Sequence, residues 1–144
     1  MTETAVRSLS VGDRVVWEGS VYTVESMKFV MIDDMAVCGV AYEDTNDGQM
    51  YMYGVDDVVV LADVWMLWHA NGYAAPEVED AEKFAGVSDA LGACTRRLND
   101  PEFPCVDADT AWAYLYFAKP EGDSYPDRVV RWDYENEEYT AMHA

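Results

Sequence analysis

The sequence has few cationic residues, few histidines and no long apolar run. Nine Lys and Arg face 28 Asp and Glu in 144 residues, which gives a formal net charge of −19. So acidic a chain repels phosphate, which disfavours direct binding to nucleic acid. No run approaches the ~18 apolar residues of a membrane-spanning helix, and the N-terminal residues show no basic segment followed by an apolar one. We therefore expect a cytoplasmic protein with no membrane partner.

Cysteine is also scarce. Cys38, Cys94 and Cys105 are an odd number, and no two of them have C-x-x-C spacing. This usage predicts reduced thiols in a reducing compartment. Cys38 lies within an apolar β-pattern and is expected in the core, while a disulfide between Cys94 and Cys105 remains an alternative.

Motifs for metal binding and for common catalytic chemistries are absent from the sequence. His69 and His143 are the two histidines, and neither is spaced to share a metal with a cysteine. His69 is instead expected at the core boundary beside Trp65 and Trp68. Neither a phosphate-binding glycine loop nor a G-x-S-x-G elbow occurs. We predict no metal, no cofactor and no enzymatic activity. A small enzyme of unrecognised type is kept as a third hypothesis, after the two binding functions given at the end of this section.

What the sequence does contain is a series of short β-patterns in its first 63 residues. Gly19-Ser20 separates the run 14–18 from the run 21–27, which is typical of a hairpin. Further runs are centred on residues 29–32, 35–42, 49–53 and 58–61. In the run 49–53 the two Met fall on one face and the two Tyr on the other. Several short strands linked by tight turns predict a small barrel.

The segment 11–24, V-G-D-R-V-V-W-E-G-S-V-Y-T-V, resembles the opening hairpin of SH3-like barrels of the KOW and Tudor type. Residues 55–61 are similar to the short turn and last strand that close such barrels. The resemblance implies an SH3-like barrel over about residues 10–63 and leaves function open. It also implies a possible aromatic cage for a methylated cation, with cross-strand packing as the alternative. The cage candidates are Trp17, Tyr22, Tyr42, Tyr51 and Tyr53.

Residues 64–144 are expected to form a second region packed on the barrel, and residues 1–9 a loose leader. The run 62–70 fits either a helical turn or an extended last strand. Pro76 followed by acids predicts a helix from about 76 to 85, and Ser88 is a plausible N-cap for a second helix. The loop predicted at 102–109 precedes residues 111–118, which fit either a strand or a buried helix; the preferred interpretation is a hairpin of 111–118 with 128–134. The expected fold class is therefore α+β and β-rich: an N-terminal SH3-like small β-barrel, one or two helices and a C-terminal β-hairpin.

Acidic residues cluster in the expected turns and on the expected first helix. One interpretation is a surface that resembles phosphate spacing and docks onto a basic groove, with fast, salt-sensitive association. The alternative is that the acids only solvate turns, or adapt the chain to high salt. The candidate partner-binding residues are Glu77, Glu79, Asp80, Glu82, Asp56, Asp57, Glu43, Asp44, Asp47, Glu135, Glu137 and Glu138.

By size and charge the chain resembles the acidic nucleic-acid mimics that phages use against host defences, such as anti-CRISPR and anti-restriction inhibitors. A compact chain of this length should be about 37 Å across, and duplex DNA of that length carries about 22 charges. The resemblance implies a non-enzymatic inhibitor in the host cytoplasm, which occupies a basic, nucleic-acid-binding surface of a partner protein. The alternative function is a phage or bacterial structural or accessory subunit that uses the barrel as an interaction module. Its oligomeric state stays open.

Overall fold

The computed structural model of the chain describes residues 1–45, 48–70, 74–98, 100 and 107–144. These residues form two compact units, one of residues 1–62 with 85–88 and one of residues 63–84 with 89–144. Each unit contains one antiparallel sheet. Helix α1 (Val87–Leu98), the single α-helix of the described residues, begins in the first unit and continues in the second. The predicted β-rich α+β class is confirmed.

Six antiparallel strands form the sheet of the first unit: β1 (Thr2–Ala5), β2 (Arg14–Trp17), β3 (Ser20–Ile32), β4 (Met35–Tyr42), β5 (Tyr51–Gly54) and β6 (Val58–Leu61). They lie in the order β1-β6-β2-β3-β4-β5. The predicted runs 21–27 and 29–32 are one strand, β3, with an irregularity between Val24 and Ser26. Asp33 and Asp34 join β3 to β4 with φ of 51° and 64°, as a two-residue type I′ hairpin turn requires.

The N-terminal residues belong to this sheet, so the prediction of a loose leader over 1–9 is wrong. Strand β1 pairs with β6 from Thr2↔Leu61 to Ala5↔Val58. A 3₁₀ helix (Val6–Ser8) follows and buries Val6 completely. A four-residue strand with two Thr and one Glu is too short and too polar to show a β-period, and its pairing partner, β6, is distant in the chain.

The core of the first unit is built from the inward-facing residues of its strands. Cys38 is fully buried there, as predicted. Because side chains alternate across a strand, Val40 and Tyr42 join Cys38 on the same face of β4. The buried members of this core are Val6, Leu9, Val15, Val24, Cys38, Val40, Tyr42 and Leu61.

Five antiparallel strands form the sheet of the second unit: β7 (Val64–Ala70), β8 (Glu82–Phe84), β9 (Ala111–Tyr116), β10 (Arg128–Asp133) and β11 (Glu138–His143). Their order is β11-β10-β9-β7-β8. The ambiguous run 62–70 is thus a strand, which pairs with β9 up to Ala70↔Ala111. The predicted hairpin of 111–118 with 128–134 is confirmed by the pairing of β9 with β10. Strand β11 was not predicted.

The helix predicted from about 76 to 85 is wrong. Residues Val78–Asp80 form one 3₁₀ turn, and the residues after it are strand β8. Pairing of β8 with β7, as in Trp65↔Lys83, supplies the backbone hydrogen bonds and overrides a weak helical preference. The second predicted helix is confirmed as α1, which starts one residue before Ser88. Of the loop predicted at 102–109, residues 102–106 lie outside the described residues, and Ala108–Thr110 is a 3₁₀ turn.

Candidate partner-binding surfaces

The predicted acids that the structure describes are divided between the two units. Asp47 lies outside the described residues. Four of the others belong to the first unit and seven to the second. The first-unit acids are Glu43, Asp44, Asp56 and Asp57; the second-unit acids are Glu77, Glu79, Asp80, Glu82, Glu135, Glu137 and Glu138.

Three of the first-unit acids bind other residues of the same chain. Asp44 accepts a hydrogen bond of 2.6 Å from the backbone N–H of Thr23, and Asp57 accepts one of 2.8 Å from that of Gly54. Asp56 forms an exposed ion pair with Arg7. The Asp57 bond stabilises the turn that follows β5, whereas the Asp44 and Asp56 contacts join segments that are distant in the chain.

The acids at 77–82 do not share the face of an α-helix, because this segment is one 3₁₀ turn followed by strand β8. The Asp80 carboxylate accepts a hydrogen bond of 3.1 Å from the backbone N–H of Glu77, as part of a capping box. Both oxygens of Glu82 accept from Arg97, at 2.5 and 2.6 Å. Both bonds come from one nitrogen, the Arg97 Nη2, and this ion pair neutralises the charge of Glu82 locally. Among the described residues, Glu79 alone of these four acids has no internal polar partner.

Residues 133–138, which comprise the turn 134–137 and the strand residue on each side of it, hold a group of acids without partners among the described residues; we call this segment the acidic turn. Asp133 organises it by accepting hydrogen bonds from the Asn136 amide at 2.8 Å and the Glu135 backbone N–H at 2.9 Å. These bonds, the Asn136 amide first, lower the pKa of Asp133. The turn leaves three exposed carboxylates that no described residue pairs with, those of Glu135, Glu137 and Glu138.

A pocket of about 160 Å³ lies beside the acidic turn. That volume is below the ~300–1,000 Å³ of a typical small-molecule site, so the pocket has room for about one side chain. Aromatic rings dominate its wall, and one acid and one base complete it. The lining residues are Ala108, Asp109, Ala111, Trp112, Arg131, Trp132 and Tyr134.

His69 stands behind this pocket, stacked on one of its walls. Its ring is parallel to that of Trp112 within 3°, with centroids 5.4 Å apart, and Tyr114 packs edge-on at 5.0 Å. Its Nε2 is buried and has no hydrogen-bond partner among the described residues. Burial lowers the pKa of His69, so the ring is neutral at pH 7. This is the boundary position that the sequence predicts, but with Trp112 rather than Trp65 or Trp68 against the ring.

The two thiols within the described residues are buried and free. The Cys94 Sγ lies 3.3 Å from the Sδ of Met66, and burial raises the pKa of Cys94 to about 12. The thiol therefore stays protonated at neutral pH and is a poor nucleophile. Cys105, the alternative disulfide partner of Cys94, lies outside the described residues.

No three His, Cys, Asp or Glu side chains of the described ranges are grouped to hold a metal ion, and no helix described here is long and apolar enough to cross a membrane.

The tyrosines considered for an aromatic cage pack together on the first unit's core. The Tyr42 ring is 5.7 Å from that of Tyr22 and 5.8 Å from that of Tyr51, both tilted. The Tyr42 and Tyr53 hydroxyls are 2.9 Å apart and hydrogen-bonded. Trp17 is exposed. The arrangement of the tyrosines matches the cross-strand packing alternative.

The outward face of β3, β4 and β5 carries an apolar surface that the sequence reading missed. Side chains on that face include Ile32 (50 % exposed), Met35 (65 %), Met50 (40 %) and Met52 (53 %). A Cβ placed on Gly39 would lie 3.2 Å from the Met52 Sδ and 3.3 Å from the Met50 Cε, so both thioethers cover this glycine. We call the surface formed by Ile32, Met35, Met50 and Met52 the methionine strip. The two faces of the run 49–53 were its sequence signal.

Comparison of the chain with protein-family models, with curated proteins and with solved structures gives no match. Function is therefore inferred from the side chains themselves.

Proposed function

We propose that this chain is a non-enzymatic acidic binding protein that occupies a basic, nucleic-acid-binding surface of a partner protein, as a DNA mimic does. The net charge of −19 favours a cationic partner through long-range steering. Such a partner is a nuclease or another DNA-binding protein of the cytoplasm in which the chain is made. A phage-encoded inhibitor of a host defence nuclease, of the anti-CRISPR kind, is one form of this function.

The observation that supports the proposal best is the acidic turn. Three exposed carboxylates in four residues, those of Glu135, Glu137 and Glu138, form no ion pair with a described residue. Charges that the chain does not use internally keep their electrostatic attraction for an external partner. Tyr134, 68 % exposed in the same turn, adds an aromatic side chain of a type enriched at protein interfaces.

The first unit is proposed to be an SH3-like barrel that acts as scaffold for this function. In support, the last strand of the predicted series, β6, returns to pair with β2 through Val15↔Leu61 and Val16↔Val60. The order β6-β2-β3-β4-β5 supports this proposal, because it places the last strand of the predicted series beside the first. Strand β1 is an addition outside the resembling segment.

The experiment measures loss of DNA binding by a panel of basic DNA-binding proteins and nucleases, using anisotropy of a labelled duplex at low salt. We expect the chain to displace DNA from at least one panel member, with relief at high salt because the contact is electrostatic. Displacement from none of them at any salt concentration would contradict the proposal.

Charge reversal then locates the contact. Glu135→Lys, Glu137→Lys and Glu138→Lys each add two charges and together change the net charge from −19 to −13. We expect the triple variant to inhibit about tenfold more weakly, a loss of about 1.4 kcal/mol. The matched control variant reverses three exposed acids of the first unit, Glu3, Glu18 and Glu25. An equal loss of inhibition in the control variant would show that the acidic turn is not the specific contact.

The second candidate function is a structural or accessory subunit that uses the first unit as an interaction module. The methionine strip favours it, since contiguous apolar surface on a soluble protein marks an interaction site. Light scattering separates the two candidates: defined oligomers over a range of concentrations fit the subunit, and a monomer that inhibits DNA binding fits the mimic.

A further inference from the structure

The outward face of β3, β4 and β5 departs from the pattern of a solvent-facing sheet. Antiparallel sheets with one wet face normally alternate apolar and polar residues along each strand. The register places Ile32 opposite Met35, Val30 opposite Val37, and Lys28 opposite Gly39. Lys28 is therefore the one charged side chain among the paired residues of this face between β3 and β4.

Strand β5 extends the apolar face. It pairs with β4 through Gly39↔Met52 and Val37↔Gly54, which places Met52 in line with Lys28 and Gly39. The glycine has no side chain, and the Met50 and Met52 thioethers fill the space above it. Methionine is unbranched and polarisable and adapts to differently shaped partners, so this face suits an apolar partner surface without a fixed shape.

Acids border the methionine strip at both ends of β4. Asp33 and Asp34 immediately precede the strand, and Glu43 and Asp44, which accepts the hydrogen bond from the Thr23 backbone N–H described above, immediately follow it. The eight residues of β4 span about 26 Å at ~3.3 Å per residue. A helix of about 18 residues has the same length. An apolar centre with acidic ends is complementary to an amphipathic helix whose apolar face is flanked by Lys or Arg.

A second copy of this chain fits the same surface poorly. It would bring identical acidic ends together, and each copy carries a net charge of −19. Self-repulsion at low ionic strength therefore opposes this contact, whereas a basic segment gains from the same charges.

We infer that the methionine strip is a docking site for a basic amphipathic helix of a partner protein. The inference rests on the proposed function, because it assigns to the cationic partner a second contact of stated chemistry. The strip supplies the apolar part of the contact, and the acids at the ends of β4 orient the helix.

The test uses the full chain labelled with [¹³C-methyl]methionine and an 18-residue peptide with Leu and Lys at amphipathic helical spacing. We expect the methyl signals of Met35, Met50 and Met52 to shift on titration, and those of buried Met66 and exposed Met142 to stay. A peptide of equal charge with Ser in place of Leu should bind about tenfold more weakly, because it lacks the apolar face. Equal shifts at Met142, or equal affinity for the Ser peptide, would overturn the inference.

Substitutions give an independent readout. Met35→Gln with Met52→Gln keeps side-chain length and removes the apolar surface, and we expect about tenfold weaker peptide binding. Met142→Gln is the matched control, since Met142 is 46 % exposed on β11 of the other unit. If the double variant perturbs folding, Met35→Gln alone replaces it, because Met35 is 65 % exposed at the start of β4. Unchanged affinity in these variants would overturn the inference.

Two further results separate this inference from the proposed function. If acidic-turn reversal weakens inhibition of DNA binding and the Met→Gln variants do not, the proposed function stands and the strip is not its contact. Concentration-dependent shifts of Met35 and Met52 without peptide, together with a dimer by sedimentation, would assign the strip to a second copy and overturn the basic-helix occupant.

Discussion

Asp13 provides the sharpest test of how the first unit is held together, because it is a buried carboxylate with two backbone partners. It is 1 % exposed. Its Oδ2 accepts a hydrogen bond of 2.9 Å from the Ser10 backbone N–H, and its Oδ1 accepts one of 3.1 Å from that of Ser88. Ser88 is in the first turn of α1, where backbone N–H groups have no helical partner and a negative charge is favourable.

The expected effect of Asp13→Ala follows from these two bonds. A hydrogen bond to a charged group contributes about 1.5–3 kcal/mol, and removal of a buried charge returns part of its desolvation cost. We therefore expect the free energy of unfolding to fall by about 2–4 kcal/mol, with a Tm lowered by about 10 °C at this chain length. Asp13→Asn keeps the shape and one acceptor oxygen, so it should lose about half as much.

Urea unfolding followed by tryptophan fluorescence and by circular dichroism measures the change. Amide hydrogen exchange at Ser10 and Ser88 provides a local readout, since both N–H groups lose their acceptor in Asp13→Ala. The control is Asp57→Ala, which removes an exposed carboxylate with a 2.8 Å bond to the Gly54 backbone N–H. Asp13→Ala within about 0.5 kcal/mol of the parent, or an equal effect of Asp57→Ala, would refute this account of Asp13.

Three further predictions follow from pKa shifts in the second unit. Burial lowers the pKa of His69 below its usual 6.5. As the pH drops below about 6.5, the unfolded chain therefore binds a proton at His69 before the folded chain does, and the free energy of unfolding should fall. Urea titrations should show a smaller fall for His69→Gln than for His143→Gln, and equal falls in the two variants would contradict this prediction. Cys94, with a pKa of about 12, should react with a thiol reagent at about pH 8 only after unfolding, and reaction in the folded chain at the rate of a free thiol would exclude its buried site. Asn136→Ala should raise the pKa of Asp133 towards 3.8 by removing its main hydrogen bond, which a carboxyl ¹³C NMR titration measures; an unchanged value would mean that the Asn136 amide does not hold this carboxylate.

Elements specified by neighbouring residues could be predicted from the sequence. The β2–β3 hairpin depends on Gly19, whose φ is 79° and which a turn of this kind requires. The pairing of β9 with β10 depends on two strongly apolar runs separated by a polar turn. Helix α1 carries its own apolar stripe and basic C-terminal residues, Arg96 and Arg97.

Elements specified by distant partners could not. Strand β8 has three residues, and its sequence Glu-Lys-Phe carries no β-period; its pairing with β7 decides its structure. The acids before it satisfied the rules for a helix start, and a single 3₁₀ turn satisfies the same rules. Strand β1 likewise depends on β6.

In the candidate site too, features set by neighbouring residues could be predicted, and features set by distant partners could not. The sequence places Glu135, Glu137 and Glu138 in an acidic segment, and local bonds from Asp133 keep that segment a turn. It does not reveal that Arg97 pairs with Glu82, because the two residues meet only when β8 and α1 are in place. Nor does it reveal the pocket wall formed by Trp112, which needs strands β9 and β10 side by side.

Residues 85–88 belong to the first unit although they follow residues 63–84 of the second, and this limits where the chain can be cut into stable fragments. A fragment ending at residue 63 would contain Asp13 but not Ser88, the donor to its Oδ1. It would also lack Gly86, where an added Cβ would lie 3.1 Å from the Leu61 Cδ1 and 3.2 Å from Asp13 Oδ1. A buried carboxylate would then face solvent from one side, and the core residue beside it would lose its cover. We therefore expect that residues 1–63 alone fold less stably than the first unit of the full chain, and that limited proteolysis between residues 63 and 84 leaves fragments that remain associated.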